Sequence, residues 1–301
     1  LFPLVLASSQ ATDPPFRVMA GGAGVSAVRL AAIERLVPRA LQRVRAPFVG
    51  APSRPFDVVV HASLDGLPDG LRDELHPGTP GFALLGRDQI HLVLDEVQLR
   101  PPHDLTTVLA HELVHVLIDQ YAGEFAPTVP RWVHEGLAQH LSGGTYLGTR
   151  EEDLLYPAAV GRLPRFRELV RRFPDDEGAR RVAYAQSVSF VAFLARKVGI
   201  EVVVEAIHRS TELDGYVGGF ALRAGTPLGW FEDEWILWVR DESGARWRFF
   251  FQNCFSYSMI GGLVLLALAL GRRLERDERA RRKLEREERD MARAGTEDAE
   301  P

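Results

Sequence analysis

The sequence predicts an α+β domain, with a small N-terminal sheet and a helical C-terminal part, followed by a single transmembrane helix. Three observations lead there. Valine-rich, strand-like segments cluster before residue 96, helical spacings of apolar residues fill most of the chain from 105 to 240, and Phe249 to Leu270 is a 22-residue stretch without a charge. Strands that come early and helices that come late point to segregated α and β parts rather than alternating βαβ units. The chain has 301 residues, 46% hydrophobic and 26% charged, which is enough for a sizeable core. Its net charge of −5 provides no basic field for nucleic acid. Cys254 is the sole cysteine, so no disulfide can form within the chain.

The elements follow in order. "LFPLVLASSQA" at the start resembles the back half of a secretory signal peptide, and residues 1–14 are read as such a remnant or as an apolar N-terminal segment. "AGGAG", residues 20–24, lacks the lysine and hydroxyl residue of a phosphate loop and reads as a linker. "AVRLAAIERLVPRALQRV" predicts a helix interrupted at Pro38, and "FDVVVHAS" from Phe56 predicts a strand. "GFALLGRDQIHLVLD", residues 81–95, predicts two short strands hinged at Gly86-Arg87-Asp88. Asp104 is placed to cap a helix containing "TTVLAHELVHVLIDQ", residues 106–120. A second helix starts after Pro130 with "RWVHEGLAQHL" and stops at Gly143-Gly144. Further helices are expected at "ARRVAYAQSVSFVAFLARKVG", "IEVVVEAIHRS" and "PLGWFEDEWILWVRD", the last two closing a domain that spans 15–245.

Residues 249–270 are long enough, at about 1.5 Å per residue, to cross about 30 Å of hydrocarbon. "GRRLERDERARRKLERE" follows directly, with Arg272 and Arg273 at the boundary. Basic residues beside a span stay on the cytoplasmic side. The expected topology is therefore an extracytoplasmic domain, a membrane anchor and a charged cytoplasmic tail over 271–301, helical at first and fraying at "AGTEDAEP".

The helix at 106–120 raises a chemical question, because His111, Glu112 and His115 sit among Val108, Leu109, Leu113, Val116 and Leu117. Positions i and i+4 share a helix face, so His111 and His115 can present two imidazoles to one metal ion. Glu112 is rotated by about 100° and can reach a water on that metal without ligating it. Zn²⁺ accepts such nitrogen and oxygen donors, acidifies its water, and leaves Glu112 to take the proton. A core helix with hydrogen-bonded histidines is the bland alternative, and polar groups among so many apolar neighbours need partners either way. A third ligand is expected from "WVHEGLAQH", where Glu135 lies twenty residues after His115, with His134 and His140 as lesser choices. Asp119 could bond a ligand histidine, but at the helix end it is expected to face solvent. His61, His76, His91 and His103 show no paired spacing and are read as ordinary.

"HELVH" followed by "WVHEGLA" resembles the gluzincin superfamily of zinc metallopeptidases, and most closely the small bacterial peptidase-MA-like domains, over about residues 55–240. The resemblance implies Zn²⁺ on His111, His115 and Glu135, with Glu112 as general base. It implies peptide or protein substrates, with endopeptidase action since no exopeptidase motif is present. An edge strand before the motif helix would pair with extended substrate, at Ile90–Leu94 or Phe82–Leu85. Such enzymes stabilise the oxyanion with a Tyr or His; Tyr184 is the first candidate, with His208 and Tyr146 behind it. Thermolysin-like relatives carry an Asp four residues after the glutamate ligand, where this chain has Gln139. That departure keeps open a second class of function, a weak or inactive module that binds a protein at the membrane. An intramembrane protease is disfavoured, because Asp104, Asp119 and Gln120 do not suit a membrane span.

Overall fold

The computed structural model describes residues 16–51, 54–73, 75, 78–99, 104–144, 151–210, 215–242 and 245–297. The N-terminal segment 1–14, His76, His103 and Tyr146 lie outside the described residues. Contacts divide the chain into two units, Leu1–Arg246 and Trp247–Pro301.

The first unit is α+β and mostly helical. Its sheet holds β1 (Phe16–Ala20), β2 (Phe56–His61), β3 (Gly81–Leu84) and β4 (Gln89–Val93) in the order β1-β2-β4-β3. β1 and β4 both run parallel to β2, whereas β3 and β4 form an antiparallel hairpin. The mixed sheet departs from the expected segregation in one place. Helix α1 (Ala27–Val44) links the parallel strands β1 and β2, making a βαβ unit at the N-terminus. Five residues, three half-buried and two exposed, beside a glycine-rich segment gave no sequence signal for β1. Helix α1 also runs through Pro38 without a break. The missing N–H removes one bond, but Ile33, Val37, Ala40, Leu41 and Val44 are all buried on one stripe and hold both halves in line.

β4 lies inside the sheet, so of the two segments considered for strand pairing only Phe82–Leu85, through its residues in β3, reaches an outer edge of the sheet among the described residues. Two short helices, α2 (Asp69–Arg72) and α3 (Leu94–Leu99), flank the hairpin in sequence. Helix α4 (Leu105–Ala122) follows, started by the Asp104 side chain, which accepts a hydrogen bond from Thr107 N at 2.6 Å. Every residue from Val108 to Ala122 is buried, because α1, the sheet and further helices enclose α4. Its last turn is tied to the β3–β4 hairpin. Asp119 Oδ2 accepts from Gly86 N at 2.7 Å, and Gln120 Nε2 donates to Asp88 Oδ1 at 2.9 Å and to Arg54 O at 3.2 Å. Asp119 is thus 6% exposed and occupied by the hairpin, rather than facing solvent as its position at the helix end suggested.

Helix α5 (Arg131–Ser142) begins after Pro130 and ends at Gly143, whose φ of 65° is the left-handed conformation that glycine adopts without strain. The remaining helices are α6 (Leu155–Ala159), α7 (Glu177–Val198), α8 (Ile200–His208), α9 (Gly215–Ala224) and α10 (Leu228–Leu237). α6 and α9 were not expected, and a single 3₁₀ turn, Phe166–Leu169, lies between α6 and α7. Helices α4 and α5 pack together, and α7 packs on α5. An aromatic cluster fixes that packing: Trp132 lies 4.8 Å from Phe166 and 5.3 Å from Phe190, and Phe190 lies 5.6 Å from Trp235, ring centre to ring centre.

The second unit is one long helix, α11 (Ala245–Glu297, its first two residues, Ala245 and Arg246, being assigned to the first unit). Within it, Ser256–Lys283 is long and apolar enough to cross a membrane, and none of its apolar window is buried. It overlaps the expected span 249–270, and the helix continues through the charged tail.

Candidate metal centre

The helical spacing of α4 brings the His111 and His115 rings to 5.0 Å, edge to face. Helix α5 returns beside α4 and places Glu135 between them: Oε2 lies 3.5 Å from His111 Nε2 and 3.9 Å from His115 Nε2. All three side chains are buried, and their donor atoms fall within 4.8 Å of one another. Two donors held about 2.1 Å from one tetrahedral ion sit about 3.4 Å apart. The two distances to Glu135 Oε2 exceed a good hydrogen bond but approach that separation. Oε2 is buried and accepts no geometrically sound hydrogen bond among the described residues. His111, His115 and Glu135 therefore form a buried group that could hold a metal ion, and the donor set fits one.

The surroundings set the charge states. Burial alone would raise the Glu135 carboxyl, but the Arg131 guanidinium, and then His111 and His115, outweigh it and hold the group well below the usual carboxylate range. Arg131 Nη2 contacts Glu135 Oε1 at 2.9 Å, one helical turn away, so one carboxylate oxygen is held and the other faces the imidazoles. Burial also keeps His115 neutral, with its pKa well below the ordinary value, and a neutral imidazole is the form that ligates.

Glu112 stands beside the group without belonging to it. It is buried, and that burial pushes its carboxyl up to about 7; His111 and Arg131 oppose the rise, as does a hydrogen bond from the Ala83 N–H. Ala83 lies in β3, so the outer edge of the sheet meets this carboxylate. Tyr184, near the start of α7, is also brought here. Its phenol is raised above its ordinary value, first by burial and then by the charge of Glu135, and Arg131 hydrogen-bonds its hydroxyl. Its ring packs edge-on against Phe173 at 4.9 Å.

α7 can come this close because position 136 is glycine. A Cβ there would lie 2.6 Å from Ser187 O and 2.7 Å from Val191 Cγ2. Ser187 is one turn from Tyr184, so the contact that seats α7 also sets the tyrosine.

Other expected residues go elsewhere. His208 stacks on Tyr121 at 5.0 Å, at the far end of α4, six residues beyond His115, and it does not join the group. His140 lies near Arg196 rather than near the ligands. His134 is not a ligand either, but its Nδ1 is 3.4 Å from His115 Nδ1. Gln139 is buried, and its Nε2 has no hydrogen-bond partner among the described residues. His61 and His91, read as unpaired from their spacing, form a pair: both are buried on the sheet, stacked, with His61 Nε2 2.9 Å from His91 Nδ1. Gly66 O and Gln89 Oε1 close the two ends of that line at 3.1 Å each.

Arg131 is the residue that sequence reasoning missed. Its signal was present, an arginine four residues before the glutamate on the same helix.

No protein-family model matches the chain, and neither the curated proteins nor the solved structures compared with it give a match.

Proposed function

We propose that this chain is a membrane-anchored zinc peptidase of the gluzincin type. The observation that carries the proposal is the position of Glu112. A buried carboxyl stands next to a group of two histidines and a glutamate, outside it, with its pKa near neutrality. A general base works best when its pKa lies near the working pH. A fold that needed only bound metal would have no use for an ionisable group that is so costly to bury there.

His111, His115 and Glu135 would hold the ion, and two imidazoles with one carboxylate suit Zn²⁺. When bound, the ion would acidify a water and polarise a substrate carbonyl. Glu112 would take a proton from that water and return it to the leaving amine. The Ala83 N–H steadies its carboxylate for that exchange. Tyr184 would donate its hydroxyl proton to the developing negative charge on the carbonyl oxygen. Arg131 already occupies the phenol oxygen as donor, which leaves that proton for the substrate. An extended peptide would lie along the free edge of β3. The helix at Ser256–Lys283 would anchor the domain outside the cytoplasmic membrane, with the charged tail inside.

A second reading is favoured by Gln139. Its buried amide, whose Nε2 has no hydrogen-bond partner among the described residues, stands where a thermolysin-like enzyme carries an orienting Asp, which suits a weakly active or inactive module that binds a protein at the membrane. One substitution separates the two. Glu112→Gln should abolish cleavage of an unfolded protein substrate while the zinc content of the purified chain stays at one per molecule. Cleavage by the variant at the wild-type rate would overturn the mechanism. An inactive wild-type chain that binds zinc would favour the binding module.

A further inference from the structure

We infer that His134 is a positioning residue for the metal centre: its Nδ1 accepts the Nδ1–H of His115 and so frees His115 Nε2 to ligate. The inference rests on the metal-site reading above and adds to it a residue whose neighbour, Glu135, is itself a ligand.

The geometry makes the case in three steps. His115 Nε2 is the ring nitrogen that faces Glu135 Oε2, so it is the one aimed at the ion. A neutral imidazole carries a single N–H, and ligation through Nε2 puts it on Nδ1. Among the described residues, the group facing His115 Nδ1 is His134 Nδ1, at 3.4 Å, with the two rings 5.6 Å apart between centres. Both rings are buried, so water does not readily replace that partner. His134 must then be the Nε2–H tautomer, with its Nδ1 lone pair turned to His115. In the opposite tautomer His134 would donate, His115 would hold its proton on Nε2, and the ligand lone pair would be lost. One imidazole thus sets the tautomer of the other.

This explains why a histidine sits at 134 even though it does not ligate. The rotation of about 100° between successive residues on α5 sends His134 and Glu135 to different places. Because α4 packs alongside, both places are on His115: Glu135 meets its Nε2 side and His134 its Nδ1 side. Other buried groups offer less. The His61–His91 pair is closed off by contacts of its ring nitrogens with each other and with Gly66 and Gln89.

The test measures Zn²⁺ affinity on the full chain in detergent, stripped of metal, by competition with a chromophoric chelator. His134→Leu keeps the site apolar and removes the acceptor, and should weaken zinc binding about 10–100-fold, the usual effect of losing a ligand's orienting partner. The thermal midpoint of the metal-free variant reads the separate structural cost of leaving His115 Nδ1 unpaired, and the Asn variant should remove that cost as well. His134→Asn puts Oδ1 where the imidazole Nδ1 was and should restore affinity to within about threefold of wild type. Should His134→Leu fail to fold, His134→Gln, whose amide sits one atom further out, should show the same loss. Wild-type affinity in His134→Leu or His134→Gln would overturn the inference while leaving the metal site standing. So would equal losses in the Asn and Leu variants. A wild-type chain that binds no zinc would overturn the site and the inference together.

Discussion

Gly136→Ala adds one methyl group at the tightest point between α5 and α7. The new Cβ would meet Ser187 O at 2.6 Å, Val191 Cγ2 at 2.7 Å and the Ser187 carbonyl carbon at 3.0 Å. Ordinary contact begins near 3.4 Å, so α7 must retreat by several tenths of an ångström, and two of the three obstructing atoms are backbone that cannot rotate away. Overpacking a tight core costs about 1–3 kcal/mol, and a clash with backbone belongs near the top of that range. At about 2–4 °C per kcal/mol for a domain of this size, a loss of about 2–3 kcal/mol lowers the midpoint by about 4–12 °C. The displacement also reaches the proposed oxyanion donor, because Tyr184 is one turn from Ser187 on the helix that moves. Thermal and urea unfolding of the full chain in detergent can be followed by the fluorescence of the buried Trp132 and Trp235. A variant within about 0.5 kcal/mol of wild type would refute the reasoning, since a true close approach cannot absorb a methyl group without cost.

Three further outcomes are expected. Tyr184→Phe should lower kcat about 10²–10³-fold, with KM and zinc content little changed, in steady-state peptide hydrolysis; an unchanged kcat would remove Tyr184 from the reaction. Arg131→Gln should destabilise the metal-free chain by about 1–3 kcal/mol in urea, since it leaves the buried Glu135 charge without its cation, discounted because the arginine side chain is 49% exposed. Zinc should recover part of that loss, and a variant as stable as wild type would show that the pair carries no weight. Acid should also destabilise the fold through His91, whose pKa burial lowers from 6.5 to about 4. The unfolded chain binds that proton first, so this contribution, on the order of 2–3 kcal/mol, is complete above about pH 6.5 and lost as pH falls to about 4. His91→Gln should flatten the stability-pH slope in that window, and an unchanged slope would count against the assignment.

The metal group was legible because its spacing is geometry. Two residues four apart on any helix share a face, and the two-helix return needed for Glu135 was written in the loop between them. Glu112 was legible for the same reason. His134 was rightly set apart from Glu135 by the rotation on α5, but its approach to His115 depends on how α4 lies against α5, which the sequence does not give. Asp119 was misjudged because a helix end normally faces solvent, and only the hairpin turn at Gly86 covers it. The edge strand could not be chosen from sequence, since Phe82–Leu85 and Ile90–Leu94 are both short apolar runs and only sheet order tells inside from edge. β1 and α9 gave too little periodicity to be seen. His61 and His91, thirty residues apart, meet only because β2 and β4 are neighbours.

The hairpin is fastened to the motif helix at two places, by Asp119 and Gln120 at its turn and by Glu112 at Ala83. The free edge of β3 and the imidazoles of α4 therefore share one rigid frame. Under the proposed peptidase function, a peptide annealed to that edge keeps its side chains on the same faces only when it shifts by two residues, about 6.8 Å. The frame would then act as a ruler with a two-residue graduation, and on a substrate that alternates two kinds of side chain alternate bonds should be spared.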